Sequence, residues 1–244
     1  MMCLFPFEPP YFEKEGLPAV FVGHPLVEND KAHMDPDGFR AAHNIPQGTT
    51  CLGVFLGSRR GEIARHGDVF LETIKRIKAA HPEICVILPT LPHLAETVSA
   101  LAAQIGGDVI VTTAQEQKWA AFKACDFALV VSGTVGLELA YVHVPHVMAY
   151  KMNRLTARIV RLLIKVKYGH LANILLGREV VPECLQENCT PDILSRTLLS
   201  LMENPDERAL QKEAFQKVEE MLHPSGAATP SDKASLFVKE AFSR

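Results

Sequence analysis

From Thr49 onward, short apolar runs alternate with longer segments of helical periodicity, and this rhythm narrows the fold more than any other feature. Cys51 to Leu56 reads as a strand and Gly57-Ser58-Arg59-Arg60-Gly61 as a turn. Glu62 to Ala80 reads as a helix, with Ile63, Val69, Phe70, Ile74 and Ile77 near helical spacing. His81-Pro82 stops that helix; Ile84 to Leu88 is the next strand and Leu94 to Ile105 the next helix. Asp108 to Val111 and Trp119 to Ala124 give another pair, Phe127 to Val131 and Val135 to Tyr141 a further one, and His146 to Tyr150 a last strand. Strands joined by helices of this length form a parallel sheet covered on both faces. Right-handed crossovers make it an α/β, doubly wound, Rossmann-like domain.

Ligands of such sheets bind beyond the carboxyl ends of the strands. Two turns fall there. In the first, Gly57, Ser58 and Arg59 offer a close backbone approach, a hydroxyl and a guanidinium. In the second, Ser132, Gly133 and Thr134 open a helix whose unpaired amides and positive dipole end suit a phosphate. Glu138, one turn further in, is placed to accept hydrogen bonds from sugar hydroxyls. Together they describe a pocket for a phosphorylated ligand bearing hydroxyl groups. Taken singly, each turn has a plainer reading: Ser132-Gly133-Thr134 as an ordinary helix cap, and Arg59 as a solvated surface charge. Gly53, Gly57 and Gly61 do not form GxGxxG, and GxxxxGK[ST] is absent, which argues against nicotinamide cofactors and P-loop hydrolysis.

Composition bounds the remaining choices. With 244 residues, 48% of them hydrophobic, the chain buries a real core, and a net charge of −3 argues against a general nucleic-acid binder. Six cysteines, at positions 3, 51, 85, 125, 184 and 189, form no CxxC pair and read as buried free thiols of a reducing cytoplasm; no metal is expected. No apolar run approaches the roughly 18 residues that span a bilayer, and a signal-peptide pattern is absent from the start, which reads as cytoplasmic.

The flanks of the rhythm are less regular. Residues 1–25 read as two strands, Met2 to Phe7 and Ala19 to Val22, with a turn and a little helix over Glu8 to Lys14. They form either the edge of another domain or elements docked on the main body. Residues 26–48 read as a polar linker with one short helix, residues 49–222 as the ligand-binding domain, and residues 223–244 as a hinge and a last helix that packs back on the N-terminal strands. His24, His33 and His43 show no metal-cluster spacing and read as surface histidines. Asn153 to Lys167 places Arg154, Arg158, Arg161 and Lys165 on one helix face, suited to an anionic membrane surface or to solvent. Asn173 to Gln186 follows, with Glu183 and Gln186 three apart, as if both faced a sugar from one helical turn. Pro191 to Met202 and Pro205 to Leu222 read as closing helices.

PFEP at Pro6 to Pro9, FVGHP at Phe21 to Pro25, LGSRRGEI at Leu56 to Ile63, SGTVGLE at Ser132 to Glu138 and NILLGREVVPECLQ at Asn173 to Gln186 resemble, in order, the motifs of lipid-A-disaccharide synthase. The resemblance implies a glycosyltransferase-B fold, with this chain as the donor-binding C-terminal half and residues 1–25 as a remnant of the acceptor domain. It implies transfer of 2,3-diacylglucosamine from its UDP derivative to 2,3-diacylglucosamine 1-phosphate, giving a β-1,6 disaccharide and UDP without a metal or cofactor. Gly133 and Thr134 would then meet the phosphates, Glu138 the ribose, and Arg59 would neutralise the leaving diphosphate, with Gly57, Ser58 and Ser132 also binding substrate. Asn173, Glu183 and Gln186 would read the glucosamine. The acylated substrates favour the membrane reading of the cationic helix, at the cytoplasmic side of the inner membrane. The general base is expected in the acceptor half, which this chain mostly lacks, so a separate acceptor-half polypeptide is an implied partner. Leu56 and Ala172 stand where the family usually has proline. Two alternatives remain: a UDP-sugar-binding module without catalysis, and a UDP-N-acetylglucosamine 2-epimerase-like isomerase.

Overall fold

A computed structural model describes residues 1–29, 34–113, 115–153, 167–226 and 228–242. Arg154, Arg158, Arg161 and Lys165, and with them the cationic face, lie outside the described residues, as does His33.

The sequence rhythm becomes a six-stranded parallel sheet. Its strands are β3 (Cys51–Phe55), β4 (Cys85–Pro89), β5 (Val109–Thr112), β6 (Phe127–Val131), β7 (His146–Tyr150) and β8 (Glu183–Leu185), in the order β5-β4-β3-β6-β7-β8. Register pairs Leu52 with Phe127 and Cys51 with Cys85, all in parallel. The order runs outward from β3 to β5 on one side and from β6 to β8 on the other, so the chain reverses its direction of travel between β3 and β6.

The central strands β3, β4 and β6 are apolar at nearly every position because both faces are covered. Leu52, Val54, Val86, Leu88, Phe127, Leu129 and Val147 point into one core, against α3 (Arg60–Ala80), α4 (Ala95–Ala102) and α8 (Pro191–Glu203). Cys51, Phe55, Ile87, Ala128, Val130 and Met148 point into the other, against α5 (Lys118–Lys123), α6 (Thr134–Tyr141), α7 (Leu171–Leu176) and α9 (Pro205–Leu222). Phe70, Phe127 and Phe215 are fully buried, each contributing about 1.5–3 kcal/mol by burial. All six cysteines are buried and free.

Helix boundaries follow local chemistry. Thr190 caps α8 by accepting from the Ile193 amide, and Asn204 caps α9 by accepting from Asp206 and Glu207; each helix has proline at its first position. The N-terminal region departs from the sequence reading. Instead of a strand to Phe7, β1 covers only Met2–Cys3, because the Glu8 carboxylate captures the Leu4 and Phe5 amides, both at 2.9 Å. Helix α1 (Pro9–Lys14) follows, and β2 (Val20–Phe21) pairs in parallel with β1 as a separate two-stranded sheet. Residues 26–48 contain α2 (Pro36–Ala42), yet they are no bare tether: Leu26, Met34, Phe39 and Ile45 are core residues, and Arg40 donates to the carbonyls of Thr49 and Ala124. His24 and His43 are half-buried, and His24 Nδ1 accepts from the Leu26 amide. Helix α10 (Pro230–Phe242) docks beside Pro25–Glu28, where Ser231 donates from its amide and hydroxyl to Glu28.

Candidate functional site

A cavity of about 420 Å³ opens where the strand order reverses, beyond the carboxyl ends of β3 and β6. Its walls bring together Gly57, Ser58, Arg59, Ser132, Gly133, Thr134 and Glu138, seven of the ten residues singled out from the sequence. Phe55 and Phe122, edge to face at 4.7 Å between centroids, supply an apolar wall. Thr90, also in the wall, has a buried Oγ1 with no hydrogen-bond partner among the described residues.

The turn after β3 closes on itself. Gly57 takes φ +98°, and a Cβ there would lie 2.3 Å from Glu62 Oε2. That same oxygen accepts from the amides of Ser58 (2.8 Å) and Arg59 (3.2 Å), the two residues before α3, and so ties the amides of the entering turn to a carboxylate of the same chain. The close approach expected at Gly57 is therefore made by Glu62. Arg59 forms an ion pair with Glu62 at 3.3 Å, and its side chain, 81% exposed, stands at the rim.

The turn after β6 stays open. Gly133 adopts φ 155° and ψ −167°, a region reserved for glycine, and no atom lies within 4 Å of a Cβ added there. Among the described residues no side chain caps α6, and no acidic residue occupies its first turn. The amides of that turn and the positive end of the helix dipole thus face the cavity uncancelled. Glu138, one turn along, accepts a 2.7 Å hydrogen bond from Lys118 Nζ through Oε1.

Behind α6 lies a buried histidine clamp. His146 and His170 are buried and meet Nε2 to Nε2 at 2.9 Å. His146 Nδ1 donates to the Val144 carbonyl at 2.8 Å, while His170 Nδ1 accepts from the Ala172 amide at 3.1 Å. The proton between them therefore sits on His170, and both rings are neutral. Burial holds His146 down to about 4 and His170 well below the usual histidine range. Gly136 of α6 must lack a side chain, since a Cβ would lie 2.4 Å from His170 Nε2. Ala172, where proline was expected, is thus a hydrogen-bond donor with a use, and Leu56 is buried core.

The remaining three residues are placed elsewhere. Asn173 is fully buried, donating from Nδ2 to Val181 O and Glu183 Oε1 and accepting at Oδ1 from the amides of Val180 and Val181. Its hydrogen-bonding capacity is spent within the protein. Glu183 accepts from Asn173 and from the amides of Gly169 and His170. The single helical turn expected for Glu183 and Gln186 is absent: Glu183 begins β8, and Gln186 follows that strand at φ +50°. Pairing of β8 with β7 overrides the local spacing, and residues three apart on extended chain face opposite ways. Gln186 instead pairs its amide with the backbone of Met152 at 3.2 Å.

Two groups escaped the sequence reading. Lys118 was hidden because its partner lies 20 positions away on another helix. His66 is buried under the first turn of α3, donating from Nδ1 to Glu62 O and accepting from the Lys151 amide, and so ties that turn to the end of β7.

A cavity at the reversal point of a parallel sheet, with an open helix end and a half-buried carboxylate in its wall, is the arrangement of a Rossmann-like half of the glycosyltransferase-B fold. Solved structures with the same fold include a Listeria monocytogenes protein assigned as a UDP-N-acetylglucosamine 2-epimerase (TM-score 0.62, 14% identity, covering 87% of this chain and 53% of that one). WaaG, a glycosyltransferase involved in lipopolysaccharide biosynthesis, is another (TM-score 0.60, 15% identity, 96% and 61%). The chain itself belongs to the lipid-A-disaccharide synthetase family, whose family model matches residues 1–237. The lipid-A-disaccharide synthase of Rhodospirillum centenum is 39% identical over 235 residues, which are 96% of this chain and 58% of that relative. The chain thus spans less than two thirds of the length of that relative. Kinship with the epimerase is one of fold alone.

Proposed function

We propose that this chain is the donor-binding part of a lipid-A-disaccharide synthase, taking UDP-2,3-diacylglucosamine and contributing to its transfer onto 2,3-diacylglucosamine 1-phosphate. The observation that carries this reading is the uncapped start of α6, with Glu138 one turn behind it, both facing the cavity at the strand reversal. The diphosphate is met by the amides and hydroxyls of Ser132, Gly133 and Thr134, and the ribose by Glu138. In the reaction the 6-hydroxyl of the acceptor attacks the anomeric carbon of the donor. The bond from that carbon to the diphosphate oxygen breaks, and its electron pair leaves with UDP. Arg59, at the rim, and the dipole of α6 stabilise the charge that grows on the leaving diphosphate. The proton of the attacking hydroxyl passes to a base in the part of the relatives that this chain does not span.

Asn173 and Glu183 act on this site through the chain they hold, by fixing the amides of residues 169, 170, 180 and 181. The sugar meets Gln186 or the backbone it holds, at the carboxyl end of β8. The anionic membrane surface remains the partner for Arg154, Arg158, Arg161 and Lys165, and the cytoplasmic side of the inner membrane the place of action. Among the described residues no helix is long and apolar enough to cross a membrane.

Calorimetric titration of UDP into the 244-residue chain tests the reading. Micromolar binding is expected, weakened by about 1.5–3 kcal/mol in Glu138→Ala, the range for a hydrogen bond to a charged group. A folded wild-type chain that takes up no UDP at millimolar concentration would sink it.

A further inference from the structure

We infer that Lys118 is the positioning residue that turns Glu138 into a reader of a vicinal diol, so that the cavity selects a ribonucleotide over its 2′-deoxy counterpart. The inference rests on the reading of the cavity as a nucleoside diphosphate site and deepens it.

An isolated carboxylate would be a poor neighbour for a diphosphate. Glu138 is only 22% exposed, and it sits one turn from the amides proposed to hold the phosphates. The Lys118 ammonium, 2.7 Å from Oε1, cancels that charge. It also fixes the direction of the carboxylate, because the ammonium is itself held from other sides. It lies 4.9 Å from the centroid of the Trp119 ring and 5.4 Å from that of Phe122. Trp119 stands edge-on to Phe122 and to Tyr141, at 5.8 and 6.2 Å between centroids, and the Tyr141 hydroxyl donates to the Asn29 carbonyl at 2.9 Å. A chain of contacts from Asn29 to Glu138 therefore anchors a carboxylate that would otherwise turn freely about three torsions.

The arrangement leaves the acceptors that a diol needs. A carboxylate offers about four lone-pair sites, and Lys118 takes one of them, on Oε1. Oε2 accepts no bond among the described residues. Two neighbouring hydroxyls can donate one to each oxygen, and loss of one hydroxyl leaves an oriented, half-buried carboxylate oxygen without its donor. An aimed acceptor penalises that loss, whereas a mobile one swings to solvent or to the hydroxyl that remains.

The test compares UDP with 2′-deoxy-UDP, by calorimetric titration into the wild-type chain, Lys118→Met and Lys118→Arg, with pyrophosphate as a probe of the phosphate contacts alone. Wild type is expected to favour UDP by about tenfold or more, the fold-change for a lost hydrogen bond to a charged acceptor. In Lys118→Met the ratio is expected to fall to about two or less, and in Lys118→Arg to return most of the way; circular dichroism and thermal melting verify that each variant is folded. The inference is overturned if Lys118→Met weakens UDP, 2′-deoxy-UDP and pyrophosphate by the same factor, since Lys118 would then supply charge and nothing else. It is equally overturned if wild type binds both nucleotides alike, an outcome that leaves the nucleotide reading standing. Failure of a folded wild type to bind either nucleotide removes that reading and the inference with it.

Discussion

The turns after β3 and β6 face each other across one cavity, and they dispose of their backbone amides in opposite ways. After β3, the Glu62 carboxylate fills the place a ligand's anion would take and accepts from Ser58 and Arg59. After β6, Gly133 opens α6 with no side-chain acceptor among the described residues. One helix start serves stability and leaves a cation at the rim; the other is left unsatisfied in the free protein, which makes it the place where an anion gains most. A parallel sheet offers the two turns as equivalent, and single side chains three or four residues along divide the labour between them.

The sharpest way to break that comparison is to place the same side chain in both turns. Gly57→Ala drives a Cβ against Glu62 Oε2 at a positive φ, so both strain and the lost cap fall on stability. We expect a loss of about 2–4 kcal/mol in chemical unfolding, from strain of about 1–3 and a cap of about 1. Gly133→Ala meets no neighbouring atom, so the free turn has room to relax out of the glycine-only region; re-forming that region around UDP then carries the strain of about 1–3 kcal/mol, which is expected chiefly as weakened binding. Equal stability losses with unchanged binding in both variants would contradict the division.

The clamp behind α6 predicts a pH dependence. His146, at about 4, and His170 stay neutral in the fold down to acidic pH, while in the unfolded chain both titrate near the ordinary value of about 6.5. Above that value neither state takes a proton and stability is flat. As pH falls below it, the unfolded chain gains protons that the fold refuses, so stability drops by up to about 1.4 kcal/mol per pH unit for each histidine. Urea unfolding between pH 7.5 and 4.5 should trace that slope. His170→Gln, which removes one of the titrating rings, should make it shallower, and an unchanged slope would place the titration elsewhere.

The smallest effect is expected at the rim. Arg59 is 81% exposed, and Arg59→Ala should shift stability by no more than about 0.5 kcal/mol. The same change should weaken UDP severalfold at low salt, with the difference shrinking as salt is added, which titrations at two ionic strengths would reveal.

The cavity was legible in part because its carriers are short-range patterns. Gly-Ser-Arg after one apolar run and Ser-Gly-Thr after another are turns at strand ends, and the parallel sheet sends all such ends to one edge. Glu138 follows from helical spacing alone. Asn173 was harder to read because sequence shows residue type but not what has already used it: it has donors and acceptors suited to a sugar and spends them on Val180, Val181 and Glu183. Likewise Leu26, Phe39 and Ile45 are scattered among polar residues, so their shared place in the core had no local periodicity to betray it.

What the sequence determined by itself is the sheet, its doubly wound class and the family, because periods of 2 and 3.6 residues and ordered motifs are properties of near neighbours along the chain. Tertiary structure alone decided how charge and hydrogen bonds are shared out. It put Lys118 on Glu138 across 20 residues, His146 on His170 across 24, and Lys151 on His66 across 85. Such pairs depend on which faces of which helices meet, and that is fixed only when both cores close on the sheet.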